Sequence, residues 1–274
     1  NYIKNIKEQK KNIKLIKFKT NNENSKVSFL LCKKNNIQCT EKLELNDVNI
    51  RNLLEGNLAS DGHDIQFFSN LNKTDSTYKK INLNNEYFDN VSFYFNDGVD
   101  FKFDKENKTF LISQKNQHGR AYFINGSIKD VLIKFNGEKK FFKEKKSNQY
   151  DYRTLTGCLS LIKLDIKNVK LISNNSNCED GVNIINSTGK ISEILSHNSL
   201  FDGIDIDFSN LKIENVNVNN SLNDCIDFSG GHYKIVNSNL SNCGDKGISV
   251  GEKSLLEIYK TNIFYANTGI ASKD

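Results

Sequence analysis

The chain of 274 residues contains no proline, no methionine and no tryptophan. Without proline, its turns fall to residues such as Asn, which tolerates left-handed backbone. No run approaches the roughly 18 consecutive apolar residues of a membrane span, so no membrane span is expected. The first residues, NYIKNIKEQKKNIKLIKF, are basic and lack the apolar core of a secretory leader. A chain that opens on Asn1 rather than Met reads as a mature or trimmed form. No CxxC pair occurs among Cys32, Cys39, Cys158, Cys178, Cys225 and Cys243, which argues against a zinc site. Cys32 and Cys39 flank a short polar turn that a disulfide would close; the other four read as small buried residues. Phosphate loops, dinucleotide fingerprints and Ser/His/Asp arrangements are also missing. His63, His118, His197 and His232 share no register and read as surface or turn residues.

What is present is a core-forming supply of 18 Phe and 10 Tyr, and an uneven net charge of +5. Lysine gathers at the N-terminus and in Glu138–Lys146, and acid gathers near Asp202–Asp207. The lysine runs read as solvated loops. With no basic helix face and no stacking motif, nucleic acid is not an expected partner.

The dominant signal is a repeat. DGVNI, DGIDI, DCIDF, KGISV and TGIAS begin at Asp180, Asp202, Asp224, Lys246 and Thr268, each 22 residues after the last. GCLSL, at Gly157, precedes the series by 23. In each segment a small residue leads an alternating strand. Ile204, Ile206, Phe208, Ile226, Phe228, Ile248 and Val250 are expected inside, and Asn183, Asp205, Asp227 and Ser249 outside. Further strand-like stretches follow, ISEIL, LKIENVNV, YKIVNSNL and SLLEIYKTNIF, with no amphipathic helix between them. A coil of this kind cannot bury its apolar face alone, so coils stack. The fold class is therefore all-β, a right-handed parallel β-helix of about 22 residues per coil; an antiparallel sandwich is the runner-up.

The helix is assigned to residues 117–274, with Gly119–Gly137 as an early coil and Glu138–Arg153 as a loop interrupting the stack. Residues 1–116 form an irregular β region expected to cap the N-terminal end of the helix. There VDFKF and KTFLIS read as a hairpin, and VSFLLC, HDIQFF and NVSFYF as strands. The last segment, TGIASKD, starts a coil without a polar cap, which predicts further coils or another chain at that end.

A period of 22 stacks Asp180, Asp202 and Asp224, and beside them Asp205 and Asp227, at about 4.8 Å per coil. Like charges that close raise one another's pKa unless compensated. Asp at the head of a coil also caps the turn. Asp205, Asp207 and Asp227 are the candidate metal ligands: calcium takes about six to eight oxygens, which clustered carboxylates can supply. No other cofactor is implied. Lys246, one coil on in the same column, is placed to neutralise Asp224.

The span FDGIDIDFSNLKIENVNVNNSLNDCIDFSGG, followed by CGDKGISVGE, resembles glycoside hydrolase family 28, the polygalacturonases, which are pectin-lyase-type β-helices. Phe201–Gly203, Asn223–Cys225 and Asp245–Glu252 match its first three motifs, and Ala271–Lys273 stands where the fourth falls. The resemblance implies that Asp202 and Asp224 activate water, that Lys273 contacts a substrate carboxylate, and that Lys246 takes the histidine position. Asp202, Asp224, Lys246 and Lys273 are thus the candidate catalytic residues, and Asp205, Asn223 and Asp227 line the substrate. Asn223 replaces the family's acid, Lys246 its histidine and Ala271 its arginine. An amide cannot serve as general acid.

Two functions follow as expectations. One is a divergent hydrolase, or a lyase with Lys246 as base, acting on acidic polysaccharide. The other is a non-catalytic surface adhesin or structural β-helix that binds glycans. Either is expected to be secreted or at the cell surface.

Overall fold

The computed structural model describes residues 78–143, 155–251 and 253–272, with the backbone of three short N-terminal strands. The chain divides into two compact units, Asn1–Ser69 and Asn70–Asp274. In the first, β1 (Ile13–Leu15), β2 (Val27–Lys33) and β3 (Cys39–Leu45) form an antiparallel sheet that sets Cys32 opposite Cys39. HDIQFF lies outside the described residues, as does Lys273.

The second unit is a parallel β-helix of about seven turns. Each coil carries up to three strand segments. The first segments are β9 (Ala121–Ile124), β12 (Gly157–Ile162), β14 (Asp180–Ile185), β16 (Asp202–Asp207) and β19 (Ile226–Ser229). They pair in parallel, continuing into β20 (His232–Gly251) and β21 (Leu255–Ser272). The second face is built from β10 (Ser127–Lys129), the starts of β13 (Asp165–Ser176) and β15 (Thr188–Ser199), and β17 (Asn210–Ile213). The third stacks β11 (Leu132–Asn136), the ends of β13 and β15, and β18 (Val216–Ser221). Later partners lie 22 or 23 positions apart, as in Ile204↔Ile226 and Ser238↔Thr261. Leu159 instead pairs with Ala121, because that coil is longer and carries the helix α1 (Lys139–Lys143).

Strand parity decides the core. Ile204, Ile206, Ile226, Phe228 and Ile248 are buried, and Val250 packs against them partly exposed. Phe208 does not line the interior as its parity suggests. The strand stops at Asp207, and Phe208 turns the corner at φ 48°. Its counterparts in other coils, Asn125, Asn186 and Gly230, also have positive φ. The corner after the third face is an asparagine column, Asn175, Asn198, Asn220 and Asn242, all left-handed. Asn198 donates to Asn175 at 2.9 Å and Asn220 to Asn198 at 2.8 Å, so the turns hold one another along the stack.

Four cysteines expected as unbonded core residues form two disulfides, Cys158–Cys178 and Cys225–Cys243, each joining a coil to itself. The reason is positional. In the coil before the second one, Gly203 faces Ser221 so closely that a Cβ on Gly203 would lie 2.7 Å from the Ser221 Oγ. Cys225 and Cys243 occupy the same two positions one coil on, where facing thiols meet.

The N-terminal end is closed by chain reversal. The cap comprises β4 (Tyr78–Leu83), β5 (Phe88–Asp89), β6 (Val91–Asn96), β7 (Val99–Asp104) and β8 (Thr109–Gln114). β5 runs antiparallel to β10 and β6 antiparallel to β9, while the β7–β8 hairpin feeds β8 in parallel beneath β11. A phenylalanine cluster fills this end, with the Phe93 ring 4.8 Å from Phe110 and 4.7 Å from Phe123. At the other end β21 pairs with β20 alone among the described strands, leaving Leu255, Tyr259, Phe264, Tyr265 and Ile270 exposed.

Candidate functional site

The acidic column heads the first face. Asp180 pairs with Asp202, and Asp224 and Lys246 follow one coil apart. These carboxylates were expected on the outer surface together with Asp205 and Asp227. Asp180, Asp202 and Asp224 are instead buried, while Asp205, Asp207 and Asp227 are half-buried. A coil turns inward where its first strand begins, so a side chain there points along the stack into the next turn.

That direction explains what they bind. Asp202 Oδ1 accepts the backbone N–H of Asp224 at 2.8 Å and the Asn223 side-chain amide at 2.7 Å. Asp224 Oδ1 accepts the backbone N–H of Lys246 at 2.9 Å, and the Lys246 ammonium sits 3.3 and 3.4 Å from its two oxygens. Asp202 and Asp224 thus each cap an amide at the start of the following coil, whereas at Asp180 the equivalent amide, that of Asp202, donates to the Glu179 carbonyl at 2.9 Å. Lys246 also bonds Asp245, which, ahead of the attraction of Asp224, raises the lysine above its usual range. A lysine serves as a general base only when neutral near the working pH, and these partners hold it charged.

Burial pushes Asp202 up to about 7, with the Asp224 charge adding and the hydrogen bonds from Asp224 and Asn223 opposing. Burial, then Asp202, raises Asp180 well above the carboxylate range. Asp205 is also raised well above that range, by burial and then by Asp207, Asp180, Asp227 and Asp202. The Asn183 amide donates to Asp205 at 3.2 Å and to Asp207 at 3.3 Å. Asp180 Oδ2 and Asn183 Oδ1 are buried without hydrogen-bond partners among the described residues.

Of the candidate calcium ligands Asp205, Asp207 and Asp227, the first two accept the Asn183 amide. Among the described residues no three His, Cys, Asp or Glu side chains converge as a metal-binding group. The Asn223 side-chain amide is committed to Asp202.

A second column went unread in the sequence. Lys129, Lys167, Lys190, Lys212 and Lys234 stand in unbroken register along the second face, followed by Glu257. The signal was the recurrence of GKI, LKI and YKI at the coil period. Asn210, Lys212, His232, Lys234, Leu255 and Glu257 line a shallow groove of about 270 Å³ on this face.

The fold and its two charged columns define a parallel β-helix protein. Compared with protein families, curated proteins and solved structures, the chain matches none. Among the described residues no helix is long and apolar enough to cross a membrane.

Proposed function

We propose that this protein is a non-catalytic β-helix that binds polysaccharide outside the cell. The observation that carries the first half is the engagement of Asp202 and Asp224: one oxygen of each accepts a backbone amide of the next coil, and Lys246 is held as a cation between Asp224 and Asp245. Hydrolysis with inversion needs a base and an acid on either side of room for water. Here Asp202 and Asp224 are buried and face amides, an ammonium and each other's charge. The resemblance to polygalacturonases supports polysaccharide as the ligand class. The two disulfides suit an oxidising compartment.

One observation favours a second reading, a divergent hydrolase: a carboxyl raised to about 7 can hold its proton for a leaving group. One experiment separates them. The chain is incubated with a panel of acidic and neutral polysaccharides, with calcium and with chelator, and scored for retention, new reducing ends and unsaturated products. Retention without products is expected. Products that vanish in Asp202→Asn would establish the hydrolase.

A further inference from the structure

The lysine column is the part of the molecule that the capping of coils does not use, and the geometry points to it as the binding site for a carboxylate-bearing polysaccharide lying along the helix axis. This rests on the polysaccharide-binding reading and adds the charge class and the place.

Five ammonium groups face outward at the strand spacing of about 4.8 Å. That step is close to the advance per sugar in an extended pyranose chain. Against them stand three carboxylates: Asp165 on Lys167 at 2.6 Å, Glu214 shared by Lys190 and Lys212 at 2.9 and 3.0 Å, and Glu257 on Lys234 at 2.9 Å. Two positive charges remain in excess. The bridges themselves are between exposed groups. Such pairs hold weakly in water, so a ligand carboxylate can replace a protein one at small cost.

The groove at the C-terminal end of this column carries the three kinds of contact a uronic acid offers. Lys212 and Lys234 meet the carboxylate, Asn210 and His232 meet hydroxyls, and exposed Leu255 meets the apolar face of the ring. A nucleic acid would ask for aromatic platforms on which to stack bases. Here Tyr233 is buried with its hydroxyl bonded to Ser229 at 2.8 Å, and the Tyr259 ring beside the groove carries the Lys234 ammonium at 4.5 Å, which leaves His232 as the exposed ring of the lining.

The test is affinity for polygalacturonate, with dextran and single-stranded DNA as comparison probes, at low and high salt. Wild type should bind polygalacturonate with an affinity that falls as salt rises. The triple variant Lys190→Ala/Lys212→Ala/Lys234→Ala should lose on the order of tenfold or more. The corresponding triple change to Arg should keep binding, and Lys170→Ala, on the third face, should not alter it. Unchanged affinity in the alanine variant, with its melting curve intact, overturns the lysine site while leaving the polysaccharide reading standing. Binding of dextran alone does the same. If no polysaccharide binds, both readings fall. DNA bound as tightly as polygalacturonate, and lost in the same variant, overturns the assignment to polysaccharide.

Discussion

The two charged columns share one period and have opposite fates. At the head of the first face, Asp180, Asp202 and Asp224 are swallowed by the stack; on the second face, Lys167, Lys190, Lys212 and Lys234 stay in or near solvent. Both columns recur at the coil period, so recurrence alone does not separate scaffold from surface. The difference is position within the coil. A residue at a corner points along the axis toward the next turn's amides. A residue at an outward parity in mid-strand points to water. A short carboxylate suits the first and a long flexible ammonium the second.

The sharpest way to break the comparison is to remove a corner carboxylate. Asp224→Ala leaves the Lys246 amide uncapped and its ammonium, 18% exposed, facing only Asp245. We expect a loss of about 3 kcal/mol or more in urea unfolding, as for other broken buried pairs. A loss under about 0.5 kcal/mol would make the column ornamental. Next comes the covalent closure of the same coil. Cys225→Ser/Cys243→Ser opens a loop of sequence separation 18, worth about 3 kcal/mol on the loop-entropy account. Without reductant the variant should melt below wild type; reductant, which also opens Cys158–Cys178, should lower both and bring the two curves together.

Gly203→Ala probes how tightly the corner is packed. Its Cβ would meet the Cys225 carbonyl oxygen and a Val218 methyl, both at 2.7 Å. A loss of about 1–3 kcal/mol is expected; a neutral result would mean that the corner yields. The smallest effect on stability belongs to the lysines. Lys212→Ala/Lys234→Ala should shift unfolding by no more than about 1 kcal/mol, since both bridges are solvent-exposed. A large loss there would turn the second column into scaffold as well.

Much of this fold was legible in the sequence because each coil repeats the same demand. The segments from Asp180 to Thr268 fixed the period, and alternation placed Ile204, Ile226 and Ile248 inside. The Gly119–Gly137 coil and the β7–β8 hairpin were equally readable. Phe208 failed because alternation holds only while the strand lasts, and nothing local announces that a phenylalanine takes a left-handed corner. The disulfides failed because Cys158 with Cys178 and Cys225 with Cys243 become neighbours only after a full turn of chain. The lysines were legible but diluted: in a chain with 38 Lys and Arg, a column is invisible until residues are aligned by coil. The buried state of Asp202 depends on the side chain's direction along the axis, which the period does not specify.

The central claim, that the corner carboxylates are structural, is tested most directly by the stability of wild type and Asp202→Asn measured from pH 5 to pH 9. Asp202 is raised to about 7, and Asp180 and Asp205 are raised too. A carboxyl raised in the folded state favours folding most while protonated, below its unfolded value near 4, and that contribution is lost as pH rises through the folded value. Wild type should therefore weaken from pH 5 to pH 9, by about 3 kcal/mol from Asp202 alone, nearly all of it below pH 7. An asparagine keeps an oxygen for the Asp224 amide without ionising, so Asp202→Asn should show a flatter profile and exceed wild type at pH 9. Wild type growing more stable toward pH 9, with Asp202→Asn weaker at every pH, would mean that Asp202 is stabilised as a charged, solvent-facing group, and would contradict the account.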